Sequence, residues 1–245
     1  MTLRIGSLEI SRDQARIVAS VGYERRQAEA QAAMREGADI LELRLDFYPG
    51  IDDPLQLPSL EKKIETLRGR TGAPLLLTIR GRQEGGRFPG DEARRGEAYC
   101  AFLRHAQALD VELNARFVRR VVTRDAKARG VALILSYHDF KGCPSNARLQ
   151  DLIERGFRAG ADLVKLAVTP RRPADVVRLL DLTERNAKRD IVIIAMGALG
   201  KVSRVLFPLF GSRLTYGYAG RDAVAPGQMR IGAMRRIMRE MAEGK

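Results

Sequence analysis

Residues 161–170 read ADLVKLAVTP, and the fold turns on how this stretch is read. Leucine, valine and alanine on both sides of Lys165 give it the composition of a strand in a parallel sheet, which is covered on both faces and is apolar throughout. An ammonium buried in such a strand is expensive unless it is paired or used. The stretch is entered through Gly160-Ala161-Asp162, and the same tripeptide, Gly37-Ala38-Asp39, leads into another apolar run, DILELRLD (39–46). In both places the glycine ends a helix and the aspartate opens a strand.

Working outward, runs of this kind occur at 17–22, 39–46, 74–80, 110–113, 131–139, 162–168, 190–197 and 214–220, eight in all. Helical periodicity fills the spaces between them, for example Glu24 to Glu36, Asp91 to Leu109, Ala147 to Ala159 and Pro173 to Lys188. Eight strand–helix units in 245 residues predict an α/β protein with the (β/α)8 TIM-barrel fold in a single domain over 1–245. An open doubly wound sheet more often has five or six strands. The alternating segment LRIGSLEIS (3–11) predicts a short N-terminal hairpin closing the barrel bottom.

Composition narrows the function classes. Hydrophobic residues make up 45% of the chain and charged residues 30%, and no apolar stretch approaches the ~20 residues that span a bilayer. The start, MTLRIGSLEI, mixes charge with apolar residues, unlike a signal peptide. The expectation is a cytoplasmic protein with no membrane partner. Cys100 and Cys143 lack the spacing of a zinc site and read as free thiols. The net charge of +13 is spread over many helices without a nucleic-acid motif, so no nucleic-acid partner is expected, while attraction of a small anion fits.

Strand alternation sorts the charged residues. Glu42, Arg44 and Asp46 share one face and Leu41, Leu43 and Leu45 the other. By the same parity Thr78 goes with Arg80, Ser136 with His138, and Lys165 with Leu163 and Ala167. A barrel gathers Glu42, Arg44, Arg80, His138 and Lys165 around one axis near the C-terminal strand ends, where barrel enzymes build their sites. Burial and neighbouring cations favour a neutral amine, which attacks carbonyls to form a Schiff base. A buried ion pair between Lys165 and Glu42 is the structural alternative. His138 is placed to act as general acid and base, with Glu42 to orient it, whereas His105, in a helical run, reads as a helix-surface or packing residue. Cys143 as a Cys–His nucleophile has no needed role beside that pair. GALGKVS (197–203) fails as a phosphate loop, with Ala195 where glycine is required and Val202 after the lysine. It reads instead as a turn into a short helix that aims Arg204 at the rim.

The fragments ELRLD (Glu42, Arg44), TIR (Arg80), EGG (84–86), SYHDF (His138), VKLAV (Lys165), GKVSR (Arg204) and APGQ (Gln228) together resemble the type I 3-dehydroquinate dehydratases, in the family's order and over nearly the whole chain. The resemblance implies a homodimeric barrel that converts 3-dehydroquinate to 3-dehydroshikimate in the shikimate pathway without metal or other cofactor. It implies an imine between Lys165 and the substrate ketone, and proton transfer at C2 and to the C1 hydroxyl by His138. Glu42 orients His138, with Asp110 a further carboxylate nearby. Arg204 takes the substrate carboxylate, Arg44, Arg80 and Gln228 its hydroxyls, and Ser20, Met196 and Tyr216 complete the substrate-binding set. Residues 219–228 read as a closing lid, in which Val224 departs from the hydroxyl-bearing residue common in the family. A class I aldolase and a non-enzymatic basic barrel that binds nucleic acid or anions are the rival readings.

Overall fold

The structure, a computed structural model, describes residues 2–11, 13–22, 26–220 and 223–243. Its strands are β1 (Arg4–Ile5), β2 (Leu8–Glu9), β3 (Arg16–Val21), β4 (Ile40–Arg44), β5 (Leu75–Thr78), β6 (Ala108–Glu112), β7 (Ala132–Asp139), β8 (Leu163–Val168), β9 (Ile191–Ala195), β10 (Leu214–Tyr218) and β11 (Met229–Arg230). The helices are α1 (Arg26–Arg35), α2 (Leu57–Thr71), α3 (Glu92–Phe102), α4 (Arg116–Ala128), α5 (Asn146–Arg158), α6 (Pro173–Arg185), α7 (Ser203–Leu206) and α8 (Ile231–Glu243). Glu24, where the first helix was expected to begin, lies outside the described residues.

The eight expected strands are β3 to β10. They pair in parallel in the order β10-β3-β4-β5-β6-β7-β8-β9, with the short β11 added beside β10. A parallel bridge between Ile191 and Ser212, and the Arg213 N–H donated to the Ile191 carbonyl at 2.8 Å, bring β9 back to β10 and curl the sheet into a barrel. Gly37 and Gly160 end their helices at φ 98° and 92°, a left-handed conformation that favours glycine. The aspartate two residues later then accepts from the neighbouring strand: Asp39 from the Ile17 N–H and Asp162 from the Leu133 N–H, each at 2.7 Å. The repeated tripeptide therefore helps fix strand register at two places.

One boundary differs from the periodicity. The helix expected to run to Leu109 ends at Phe102, a single 3-10 turn covers Leu103–His105, and Ala108 and Leu109 already belong to β6, paired with Leu76 and Leu77. Gln107 makes the switch by exchanging bonds with Leu75 through its backbone N–H and its side-chain oxygen, both at 2.9 Å. Sheet pairing overrides the helix propensity of the Ala–Leu run.

Two apolar layers follow from strand alternation. Leu41, Leu43, Leu109, Val111, Val164 and Leu166 face outward and pack under the helices with residues such as Val118 and Val122 of α4. Val18, Ile40, Leu76, Ala108, Ala132, Leu163, Val192 and Leu214 fill the interior together with Ile5 and Ile10. The antiparallel hairpin β1–β2, extended by the Ile10 N–H donated to the Leu3 carbonyl at 2.9 Å, thus closes the bottom of the barrel as expected.

Candidate active site

Above the aliphatic layer the same interior positions become polar: Ser20, Glu42, Thr78, Arg80, Asp110, Ser136 and Lys165 are all buried. A cavity of about 170 Å³ opens over them at the C-terminal strand ends. It is lined by all ten residues expected to act or bind there: Ser20, Glu42, Arg44, Arg80, His138, Lys165, Met196, Arg204, Tyr216 and Gln228. Glu84, Phe140 and the segment Val224-Ala225-Pro226 complete the wall.

Lys165 donates from Nζ to Asp110 Oδ2 at 2.8 Å, lies 4.0 Å from Glu42 Oε1, and stands 4.1 Å from the centre of the Tyr216 ring. This corrects the expectation of a lysine surrounded by cations. Asp110 pairs with Thr78 of β5 and Ile134 of β7, and the alternation of β6 carries its carboxylate to the lysine. Asp110 Oδ1 also accepts from Arg80 Nη2 at 2.7 Å and from Ser136 Oγ at 2.5 Å, while Arg80 Nη1 donates to Ser136 Oγ at 2.7 Å. Burial alone raises the Asp110 carboxyl, but Arg80, Lys165 and His138 together hold it well below the usual carboxylate range. A permanent anion therefore sits beside the amine.

The carboxylate that orients His138 is Glu84, not Glu42. Glu84 Oε2 accepts from the His138 backbone N–H at 2.8 Å and lies 3.0 Å from the ring Nδ1. Glu42 spends its oxygens on Ser20 Oγ at 2.6 Å and Thr78 Oγ1 at 2.9 Å. The reason is topological: β4, which bears Glu42, is three strands from β7, which bears His138, whereas the turn after β5 reaches over the rim to it. Burial first, then Arg80 and Lys165, push the imidazole well below its ordinary value, so the ring rests neutral. Burial pushes the Glu84 carboxyl up to about 8, against the opposing pull of Arg80.

Arg204, on the short α7 after the GALGKVS turn, is buried. Among the described residues its Nε has no partner, and the one hydrogen bond of its guanidinium is a long 3.4 Å contact from Nη2 to the Pro226 carbonyl. Burial lowers the guanidinium to about 10. The Tyr216 hydroxyl is likewise buried without a partner. By contrast Arg44 is held by Asp46 through Nε at 2.9 Å and Nη2 at 2.8 Å. Of the segment expected to form a lid, Arg221 and Asp222 lie outside the described residues. Its C-terminal part is pinned by Gln228, whose Oε1 accepts from the Val224 and Ala225 N–H groups and whose Nε2 donates to Ser20 Oγ at 3.1 Å. The Val224 backbone thus already has a polar partner inside the chain.

Away from the cavity, His105 is buried against Glu61 at 2.6 Å, a packing role. Cys100 and Cys143 are free thiols. Among the described residues no group of three or more His, Cys, Asp and Glu side chains is arranged to hold a metal ion, and no helix is long and apolar enough to cross a membrane.

Comparison with known proteins agrees with this geometry. A family model described as Type I 3-dehydroquinase matches residues 17–245. The 3-dehydroquinate dehydratase of Methanosarcina barkeri is 37% identical over 243 residues, covering 96% of this chain and 98% of the relative. That of Methanocella arvoryzae is 38% identical over 216 residues, covering 88% and 92%. Among solved structures, the 3-dehydroquinate dehydratase of Geobacillus kaustophilus superposes with a TM-score of 0.91 at 32% identity, covering 99% of this chain and 97% of that one.

Proposed function

Since this chain belongs to the type I 3-dehydroquinase family, whose members dehydrate 3-dehydroquinate to 3-dehydroshikimate through a lysine Schiff base, we propose which of its residues carry each step. The activity is that of a hydro-lyase of the shikimate pathway.

Lys165 is the nucleophile. Its amine adds to the C3 ketone and expels that oxygen as water, giving an imine whose protonated form draws electrons from C2. Asp110, fixed as an anion 2.8 Å from Nζ, stabilises the iminium charge as it forms. His138 takes the C2 proton. Glu84 occupies Nδ1 and leaves Nε2 to the cavity, and a neutral ring is the state able to accept. The C2 electron pair passes toward the imine nitrogen and returns to form the C1–C2 double bond as the C1 hydroxyl leaves with a proton from His138. Water then hydrolyses the imine, so the net change is loss of one water. The imine serves as the electron sink, which lets the reaction run without a cofactor.

The observation that carries the assignment is Arg204: a buried guanidinium with no carboxylate partner among the described residues, on the wall of the cavity that also holds the lysine. A buried unpaired cation is costly, and a substrate carboxylate bound there removes the cost. Arg44, Arg80, Gln228 and Ser20 hold the ring hydroxyls, Met196 and Tyr216 shape the pocket, and Glu42 fixes Ser20 and Thr78 around the lysine. The 245 residues form one barrel domain that works in the cytoplasm as a homodimer, with no nucleic-acid or membrane partner. The test is to add 3-dehydroquinate and follow the ultraviolet absorbance of the conjugated enone. Carbon–carbon cleavage products without enone would assign the site to an aldolase.

A further inference from the structure

Behind the catalytic cluster lies a second buried ion pair with no part in the chemistry above. Arg95 on α3 and Glu112 at the end of β6 are each about 3% exposed. Arg95 Nη1 lies 2.8 Å from both Glu112 oxygens and 3.2 Å from the Ile79 carbonyl, and Arg95 Nη2 reaches Glu92 at 2.6 Å. Glu112 Oε1 accepts from the Gly81 N–H at 2.7 Å and stands 3.8 Å from Arg80 Nη1.

Gly81 is where this pair meets the site. Its carbonyl accepts from the Glu84 N–H at 3.2 Å and the Gly86 N–H at 2.9 Å, which closes the turn that carries Glu84. Two glycines permit the fold-back: a Cβ on Gly81 would meet Arg95 Nη1 at 2.7 Å, and one on Gly86 would meet the Arg80 carbonyl oxygen at 1.9 Å. On the same helix, the Tyr99 hydroxyl bonds the Asp110 carbonyl at 2.6 Å and the Ile79 N–H at 2.9 Å. Helix α3 therefore grips the ends of β5 and β6, and the Gly81 peptide transmits that grip to Glu84.

We propose that Glu112, held by Arg95, is a positioning residue for proton transfer: it anchors the Gly81 peptide so that the following turn delivers Glu84 onto His138. This rests on the assignment of His138 as acid and base. The charged and titratable groups that face Glu84 are Arg80 just past the end of β5, Asp110 and Glu112 from β6, and His138 and Tyr137 from β7. After burial, which raises the Glu84 carboxyl, and Arg80, which lowers it, Glu112 acts to raise it. Removing the Glu112 charge thus moves the titration of Glu84 to lower pH.

The test is Glu112→Gln, with Arg95→Lys as the charge-conserving variant. In Glu112→Gln, borohydride trapping of the imine and the Michaelis constant should stay near wild type. The turnover number should fall about 10- to 100-fold, the scale of a small misplacement of reacting groups, and the pH–rate limb set by Glu84 should shift to lower pH. Arg95→Lys should keep most of the turnover. A purely structural role would lower the melting temperature and leave the pH profile in place. Should Glu112→Gln fail to fold, the neutral double variant Glu112→Gln/Arg95→Gln carries the same measurement. Folded protein with unchanged turnover and pH profile overturns the proposal. His138→Ala is assayed in parallel: normal turnover there would overturn the acid–base assignment itself, whereas a stalled His138→Ala beside a normal Glu112→Gln would remove only the role of Glu112.

Discussion

The two ends of the barrel interior are built from the same strands with the same alternation, yet they hold opposite contents. At the bottom, Val18, Ile40, Leu76, Ala108 and Leu163 meet the hairpin residues Ile5 and Ile10 in an aliphatic plug. Two residues further along the same strands stand Ser20, Glu42, Thr78, Asp110 and Lys165, tied by charge-assisted hydrogen bonds. Burying an aliphatic side chain contributes about 1.5–3 kcal/mol, whereas a buried ion pair returns little beyond its desolvation cost. The bottom thus stabilises the molecule. The top holds charges that stability alone does not require.

The sharpest way to break this division is Lys165→Ala, which should abolish turnover in the enone assay while the protein stays folded. Persistent turnover would mean that the cluster is not the nucleophilic centre. His138→Ala should still form a trappable imine and then stall, with turnover down by about 10²- to 10⁴-fold, the usual share of general acid–base catalysis. At the other end, Ile40→Ala should lower the unfolding free energy by about 2–5 kcal/mol and leave turnover of the folded fraction unchanged, read by urea denaturation alongside activity. A large catalytic loss there would blur the two ends. Arg204→Ala should raise the Michaelis constant about 10- to 100-fold, since hydrogen bonds to charged groups are worth about 1.5–3 kcal/mol. An unchanged constant would place the carboxylate elsewhere.

The smallest effect is on pH-dependent stability. The Glu84 carboxyl is raised by burial from 4.5 to about 8, so the folded state holds a proton that the unfolded state releases in between. Its contribution is complete below 4.5 and is lost as pH rises toward 8. His138 acts in the opposite sense: its pKa is lowered, so its contribution is present above 6.5 and is lost as pH falls. Glu84→Gln should flatten the alkaline decline in urea midpoint across this window, and an unaltered slope would mean that the carboxyl titrates normally.

Much of this was legible in the sequence because barrel geometry converts a period of two into an inside and an outside. Lys165, Arg80 and His138 could be placed on one axis from alternation alone, and Ile5 and Ile10 could be assigned to a plug from a nine-residue pattern. Contacts across the ring and between loops were harder to read. Glu42 and His138 both point inward, but parity does not say that two strands lie between theirs, and Glu84 belongs to a turn with no periodicity. Its signal was an acid between Gln83 and the Gly85-Gly86 pair, four residues after Arg80 at the rim. Asp110 was reachable by alternation, since Ala108, Asp110 and Glu112 interleave with Leu109, Val111 and Leu113, but helical periodicity through Leu109 obscured where β6 begins. The Arg95–Glu112 pair joins a helix to a strand end, and only the fold brings those two together.

Borohydride reduction in the presence of 3-dehydroquinate, followed by peptide mapping, tests the central claim most directly. A covalent ring adduct confined to the peptide containing Lys165, and lost in Lys165→Ala, is the predicted result. An adduct on another lysine, or turnover with no trappable adduct, would contradict it.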